Sequence, residues 1–262
     1  MPDPAVTISA DGTPIAGDTT GSGPAVVLVH GAFTDRRHAT LRGVAAALAP
    51  WFTVVNYDRR GRGDSGDTPP YAVEREIEDL AALIPGTAMV FGGSSGGALV
   101  LEAAARLPAI TKVAVWEPPY HVDPSAPQIG HDLADRLASL VRQGRRGDAV
   151  ELFMTEAAEV PAEVVAGMRG RPYWKESEAV AHTLAYEAAV LGPGNALPAE
   201  RLATVQQPTL VLSGGASPTW MTNAALAVTD AIPQAIHRVL DDQTHNVDAQ
   251  ALAPELLEFF TA

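Results

Sequence analysis

Short apolar runs alternate with amphipathic stretches along most of this chain. Six runs of four or five residues occupy 25–29, 53–57, 88–91, 112–116, 209–213 and 237–240. Such runs are typical of strands that are buried on both faces of a sheet. The stretches between them repeat apolar residues at helical spacing, as in 40–49, 71–84, 223–231 and 252–260. Strands that alternate with helices predict an α/β fold, with a doubly wound and mostly parallel sheet.

Two departures from this alternation shape the predicted domain organisation. Residues 6–8 and 14–16 flank Asp11-Gly12, a strong turn signal, and predict an opening hairpin. Between residues 121 and 200 only helical patterns occur, over 131–143, 148–158, 161–168 and 174–191. An all-helical insertion between two strand runs is expected to cover a binding site. We therefore predict a core domain of residues 1–120 and 201–262, with a helical cap, or lid, of residues 121–200.

The clearest chemical signal lies in residues 90–99, where an apolar run ends at a glycine-flanked serine pair. Apolar residues at helical spacing follow at Leu99, Leu101, Ala104 and Leu107. Strand, tight turn and helix form the context in which G-x-S-x-G marks a nucleophile elbow, because bulky side chains would collide in so strained a turn. The motif fits twice here, with either Ser94 or Ser95 as the nucleophile.

These features resemble the α/β-hydrolase superfamily, which implies an α/β-hydrolase fold with an inserted helical cap. In that family one variable residue, two glycines and a small residue follow the nucleophile, and this pattern matches residues 94–98 with Ser94 in first place. A second signature, D-x-R-G-x-G-x-S, matches residues 58–65. We interpret its arginines as organising that loop, since the lysine of a phosphate-binding P-loop is missing.

The same resemblance implies the remaining parts of a hydrolytic site. His30-Gly31 after a buried strand is similar to the family's oxyanion loop, so the backbone N–H groups of Ala32 and Ser95 would bind an oxyanion. The family places its base in a loop after the last strand. There His245 is the expected base, whereas His30 is interpreted as structural.

The third member of a triad is where the chain departs from the common pattern. The loop after run 209–213 normally supplies an aspartate, but residues 213–220 contain no carboxylate and Ser217 stands at the expected position. Glu117, at the end of the preceding strand, is the preferred acid. A Gly-x-Ser-Ser-Gly elbow together with Glu117-Pro118 resembles lactonases of the zearalenone-hydrolase type. Asp241 or Asp242, or a dyad without an acid, remain alternatives.

The amino-acid composition restricts the binding partners and the cellular compartment that can be expected for this protein. The 262 residues carry a net charge of −13, which argues against nucleic acid and anionic membranes as partners and disfavours a strongly anionic substrate. The lack of cysteine excludes disulfides and thiol catalysis. The first four residues lack a signal-peptide profile, so a cytoplasmic protein is expected. No metal-binding histidine spacing occurs, and we expect neither a metal nor a cofactor.

The combined prediction is a cofactor-independent serine hydrolase that cleaves a carboxylic ester or lactone of an uncharged, fairly apolar small molecule through an acyl-enzyme on Ser94. Aromatic side chains near these loops are candidates for substrate binding: Phe33, Trp116, Tyr120 and Trp220. Two other interpretations stay open. One is a lyase, cyclase or C–C bond hydrolase that uses the same triad, and the other is a ligand receptor on a hydrolase fold. A homodimer is compatible with the sequence, which does not decide the oligomeric state.

Overall fold

One sheet runs through the molecule, whose computed structural model describes residues 4–262. Residues 1–3, which contributed to the expected absence of a signal peptide, lie outside the described residues. The strands β1 to β8 are Ala5–Ile8, Pro14–Thr20, Ala25–Val29, Thr53–Tyr57, Ala88–Gly93, Ile110–Trp116, Thr209–Gly214 and Ala235–Leu240. Their spatial order is β1-β2-β4-β3-β5-β6-β7-β8, and pairing is antiparallel for β1–β2 and β2–β4 and parallel elsewhere. The predicted doubly wound, mostly parallel sheet is confirmed.

Helices connect the parallel strands, as the alternating pattern predicts. In chain order α1 to α11 are Ala39–Leu48, Val73–Leu83, Ser95–Ala104, Leu133–Arg142, Arg146–Glu156, Ala162–Met168, Pro172–Ala179, Leu184–Leu191, Ala199–Leu202, Thr219–Ala231 and Ala249–Thr261. Two short 3-10 turns cover Ala181–Thr183 and Pro193–Asn195. No helix of residues 4–262 is both long enough and apolar enough to cross a membrane.

One helical prediction needs correction, because 174–191 is two helices rather than one. The chain bends at Val180, and the Thr183 hydroxyl donates a hydrogen bond back to the Val180 carbonyl oxygen at 2.8 Å. A side-chain hydroxyl that bonds the preceding turn competes with regular helix formation. Beyond the bend, Glu187 of α8 is buried and pairs with Arg59 and Arg62.

Alternation along the central strands creates a core on each face of the sheet. In β3, Val27 and Val29 pack with residues of α2, α3 and α10, whereas Val26 and Leu28 pack with residues of α1 and α11. Successive side chains of a strand point to opposite faces, so a continuous apolar run is what a doubly covered sheet requires. The elements that carry the candidate site are therefore held rigidly from both sides.

The helical insert, residues 121–200 between β6 and β7, has its own apolar cluster. Leu137 of α4, Val150 and Phe153 of α5, Trp174 of α7 and Leu184 of α8 are buried together. Ala32 and Phe33, in the loop after β3, pack against this cluster. The insert therefore lies against the loops at the carboxyl ends of the strands. In open α/β sheets these ends are where ligands bind.

Candidate active site

Ser94 occupies the turn between β5 and α3 in a strained backbone conformation. Its φ of 55° and ψ of −129° lie outside the regions that side chains ordinarily adopt. A Cβ at Gly92 would come within 2.4 Å of the Gly96 carbonyl oxygen, and one at Gly96 within 2.5 Å of the His30 carbonyl oxygen. Those two positions therefore require glycine, whereas a Cβ at Gly93 would contact nothing within 4 Å.

The two candidate serines differ in accessibility. Ser95 is only 3% exposed, and among the described residues its buried hydroxyl oxygen has no hydrogen-bond partner. Ser94 is partly exposed and lines the cavity described below. The geometry thus favours Ser94 as the reactive hydroxyl, as the order of glycines in the motif predicts.

Glu117 and His245 lie 128 positions apart in the chain, and the fold brings their side chains into contact. His245 Nδ1 lies 2.8 Å from Glu117 Oε2, and the Gly214 backbone N–H donates to Glu117 Oε1 at 2.8 Å. The Glu117 side chain is fully buried, while that of His245 is 34% exposed. With Nδ1–H donating to the carboxylate, the other ring nitrogen, Nε2, is left as a proton acceptor. Glu117 itself adopts a left-handed φ of 42° at the end of β6.

The rival acids are placed differently. Asp241 and Asp242 are exposed, and within residues 4–262 neither carboxylate forms a hydrogen bond with His245. Ser217 lies next to the end of β7, and its hydroxyl is buried without a partner. The Trp116 indole N–H donates to the His245 carbonyl oxygen at 3.0 Å and so ties the histidine loop to β6. Of the predicted acids, only Glu117 contacts the histidine.

The loop after β3 lies directly against the elbow. A Cβ at Gly31 would be 3.1 Å from both the Gly93 carbonyl oxygen and Ser94 Cβ, which shows how closely the two backbones approach. Among the described residues, the backbone N–H groups of Ala32 and Ser95 have no hydrogen-bond acceptor. Both residues line the same cavity as Ser94. Two unpaired N–H groups beside a serine hydroxyl are the arrangement that stabilises an oxyanion.

A buried polar network holds this loop in place. The Arg59 backbone N–H donates to His30 Nε2 at 3.0 Å, and an Arg59 side-chain N–H donates to the His30 carbonyl oxygen at 3.2 Å. Burial, together with the positive charges of Arg62 and Arg59, holds the pKa of His30 well below its ordinary value. His30 is therefore neutral and acts structurally, as expected.

The same network reaches the helical insert. Arg59 pairs with Glu76 of α2 at 2.7 Å and with Glu187 of α8 at 2.9 Å, and Arg62 also pairs with Glu187. Burial opposes ionisation of Glu76, but the Arg59 guanidinium outweighs it and lowers the pKa of that carboxyl to about 2. Arg59 thus connects the loop after β3 to α8, and Arg62 adds a second contact with α8, while both arginines are almost fully buried.

A cavity of about 820 Å³ opens above these groups. Phe33, Trp116 and Trp220 line it, as predicted. Tyr120 does not. Its backbone N–H bonds to the Pro118 carbonyl oxygen in a tight turn, and the side chain is buried in the core cluster that packs on α3. The nearness of Tyr120 to Glu117 in the sequence suggested that its side chain lines the cavity. The turn at Pro118-Pro119 instead places that side chain in the core.

Sequence reasoning missed the cavity residues that the helical insert supplies, Phe153 and Glu159 among them. Phe153 of α5 packs edge-on against Phe33 with ring centroids 5.5 Å apart, and Glu159 follows α5 in a turn. Periodicity marked Phe153 as apolar, but it could not distinguish the core of the insert from the cavity wall. Nothing in the spacing of Glu159 distinguishes it from the other exposed acids. Within residues 4–262, no group of three or more His, Asp or Glu side chains is placed to hold a metal ion.

Solved structures show the same fold. An alpha/beta hydrolase from Sphaerobacter thermophilus DSM 20745 is 54% identical, with a TM-score of 0.89 over 98% of this chain and 100% of that one. The enol-lactonase from Burkholderia xenovorans LB400 is 22% identical, with a TM-score of 0.73 over 98% of this chain and 100% of that one. At that lower identity the likeness concerns the fold alone.

Sequence comparisons give the family. The uncharacterized hydrolase YraK of Bacillus subtilis (strain 168) is 30% identical over 197 residues, which are 70% of this chain and 71% of that protein. A pimeloyl-[acyl-carrier protein] methyl ester esterase of Xylella fastidiosa (strain M12) is 38% identical over 94 residues, 36% of each chain. The family model described as "Alpha/beta hydrolase family" matches residues 26–255. This chain, with its elbow serine at the carboxyl edge of a doubly wound sheet, therefore belongs to the alpha/beta hydrolase family.

Proposed function

We propose that this hydrolase is a cofactor-independent serine esterase or lactonase whose substrate is an uncharged, fairly apolar small molecule. The observation that carries the proposal is the 2.8 Å contact between the buried Glu117 and the partly exposed His245, beside a cavity that also exposes Ser94. A serine hydroxyl is a poor nucleophile until a base accepts its proton. An imidazole with a carboxylate on Nδ1 presents its free nitrogen for that task.

Acylation follows from these positions. His245 Nε2 takes the Ser94 proton as the hydroxyl oxygen attacks the substrate carbonyl carbon, and the Ala32 and Ser95 N–H groups stabilise the resulting oxyanion. His245 then donates that proton to the leaving alkoxide, and an acyl-serine remains. Glu117 keeps the imidazole in the required tautomer and stabilises its positive charge. Within residues 4–262 no hydrogen bond joins Ser94 to His245, and in enzymes without substrate this contact is often formed only when substrate binds.

Deacylation uses the same groups. A water molecule at the position of the departed alcohol loses its proton to His245 and attacks the acyl carbon, and collapse of the oxyanion releases the acid and restores Ser94. The wall of Phe33, Trp116, Phe153 and Trp220 supplies apolar surface to the part of the substrate that does not react. We also propose that the helical insert serves as the lid of this cavity, since Phe153 and Glu159 belong to it.

Covalent labelling tests the nucleophile. The protein is treated with a small fluorophosphonate, followed by intact mass and peptide mapping, in the wild type and in Ser94→Ala, Ser95→Ala and Glu117→Gln. We expect one adduct on Ser94, its loss in Ser94→Ala, and labelling slowed about 100-fold in Glu117→Gln because the imidazolium loses its counter-charge. Asp242→Asn is the matched control and should label at the wild-type rate.

Turnover of neutral esters and lactones is measured in the same variants. Hydrolysis that follows the labelling rates across the set supports the proposal. Absence of any serine adduct would overturn it and would favour a ligand receptor. An adduct on Ser94 without ester or lactone hydrolysis would instead favour a lyase, a cyclase or a C–C bond hydrolase.

A further inference from the structure

The cavity wall contains one acidic side chain, that of Glu159. No other described residue that lines the cavity is an Asp, Glu, Lys or Arg. No described Lys, Arg or His side chain forms an ion pair with it. The rest of the wall combines aromatic and aliphatic side chains with uncharged polar ones such as Thr34 and Asn195, so the carboxylate of Glu159 disfavours anionic groups near it.

The carboxylate is held in a defined position rather than left free. The Trp220 indole N–H donates to Glu159 Oε2 at 2.9 Å, and Trp220 is itself 5% exposed and packs edge-on against His121. Glu159 has a left-handed φ of 53°, a backbone conformation that favours glycine and is strained for a residue with a side chain. The strain is tolerated in a turn that places the carboxylate against the tryptophan.

Only one of the two carboxylate oxygens is used by the protein. Within residues 4–262, Glu159 Oε1 has no hydrogen-bond donor, and the residue is exposed at the border of the cavity. An ionised carboxylate oxygen is a strong acceptor and repels other anions. Uncharged polar groups of the wall, such as those of Thr34 and Asn195, can both donate and accept, so this carboxylate is the lining group best suited to distinguish hydrogen-bond donors from anions on the part of the substrate remote from the ester.

We infer that Glu159 is a specificity-determining residue, which accepts a hydrogen bond from a hydroxyl or N–H group at the end of the substrate remote from its ester or lactone carbonyl and which disfavours an anionic group there. This inference rests on the proposed esterase function. It narrows the substrate class to fairly apolar esters and lactones that carry a distal hydrogen-bond donor.

Matched substrates test the inference through kcat/KM. The set comprises p-nitrophenyl esters of equal acyl length that end in a methyl, a hydroxyl or a carboxylate group. In Glu159→Leu the preference for the hydroxyl ester over the methyl ester should fall about 5-fold, because a charge-assisted hydrogen bond at a partly solvated site is lost. In Glu159→Gln the carboxylate ester should gain about 5-fold, while the methyl ester changes less than about 2-fold.

Glu163→Gln is the matched control, since Glu163 is an exposed acid of α6 that does not line the cavity. It removes one negative charge from the insert and should leave all three substrate ratios unchanged. Equal ratios in the wild type and both Glu159 variants would overturn the inference, as would Glu163→Gln shifting them as far as Glu159→Gln does.

A binding experiment separates this inference from the proposed function. N-methyl amides of the same three acids are titrated calorimetrically into Ser94→Ala and into Ser94→Ala with Glu159→Leu. We expect the hydroxyl amide to bind about 5-fold more weakly when Glu159 is replaced, whether or not the wild type hydrolyses esters. If esters are not hydrolysed but the amides behave as expected, the proposed function fails while the role of Glu159 stands. If the amides do not discriminate, the inference fails by itself.

Discussion

Replacement of Glu187 by glutamine tests whether the ion network couples the insert to the core. Glu187 is completely buried and accepts hydrogen bonds from Arg59 and Arg62, whose side chains are 0% and 1% exposed. Removing one partner of a buried ion pair costs about 3–5 kcal/mol, because a charge is left without its counter-charge. Glutamine keeps an acceptor oxygen for one of the arginines, so we expect the lower end of that range, about 3 kcal/mol.

The measurement is thermal unfolding by circular dichroism, with urea unfolding to obtain the free energy directly. A loss of about 3 kcal/mol in a chain of this size lowers Tm by about 6–12 °C. Glu258→Gln is the control, because its pair with Arg238 is equally close, at 2.7 Å, but the side chains are 65% and 34% exposed. An exposed pair contributes about 0–1 kcal/mol, so that variant should lose at most about 4 °C. Equal Tm values for the two variants would refute the reasoning.

Three further predictions follow from particular contacts. Gly92→Ala places a Cβ 2.4 Å from the Gly96 carbonyl oxygen, so it should abolish fluorophosphonate labelling or folding. In Gly93→Ala the added Cβ has no described atom within 4 Å, so this variant should be labelled at nearly the wild-type rate. Burial opposes ionisation of Glu76 but Arg59 lowers the pKa of that carboxyl from 4.5 to about 2, so the stability advantage of the wild type over Glu76→Gln should be constant above pH 4.5 and decline as the pH falls towards 2. Chemical denaturation at several pH values measures this, and an advantage independent of pH down to 2 would contradict it. Tyr120→Phe removes a buried hydroxyl that has no hydrogen-bond partner among the described residues. The free energy of unfolding should therefore stay unchanged or rise by about 1 kcal/mol. A loss of kcat/KM in this variant would show that Tyr120 acts on substrate after all.

Prediction from sequence succeeds where a feature depends on neighbouring residues and fails where it depends on contacts between residues far apart in the chain. The strand runs were placed almost residue by residue, since burial on both faces leaves an apolar run that needs no knowledge of partners. Periodicity predicts one helix over 174–191, whereas the break at 180–183 accompanies contacts of Thr183 and Glu187 with Arg62, more than 120 positions away, about which periodicity carries no information. Tyr120 was assigned to the pocket on nearness in sequence, whereas the Pro118-Pro119 turn directs its ring into the core.

The sequence by itself determined the fold class and predicted the elbow and the nucleophilic role of its serine, because these depend on local patterns: apolar runs, a glycine-flanked serine and a histidine after the last strand. Only the tertiary structure decided which carboxylate contacts His245, since the choice between Glu117 and Asp241 or Asp242 depends on how β6, β7 and the histidine loop pack. It also decided that Glu159 borders the cavity. The place of Glu117 at the end of a strand makes it the preferred acid but does not exclude the two aspartates, and residue spacing alone does not assign Glu159 to the cavity, because both results depend on the packing of elements far apart in the chain.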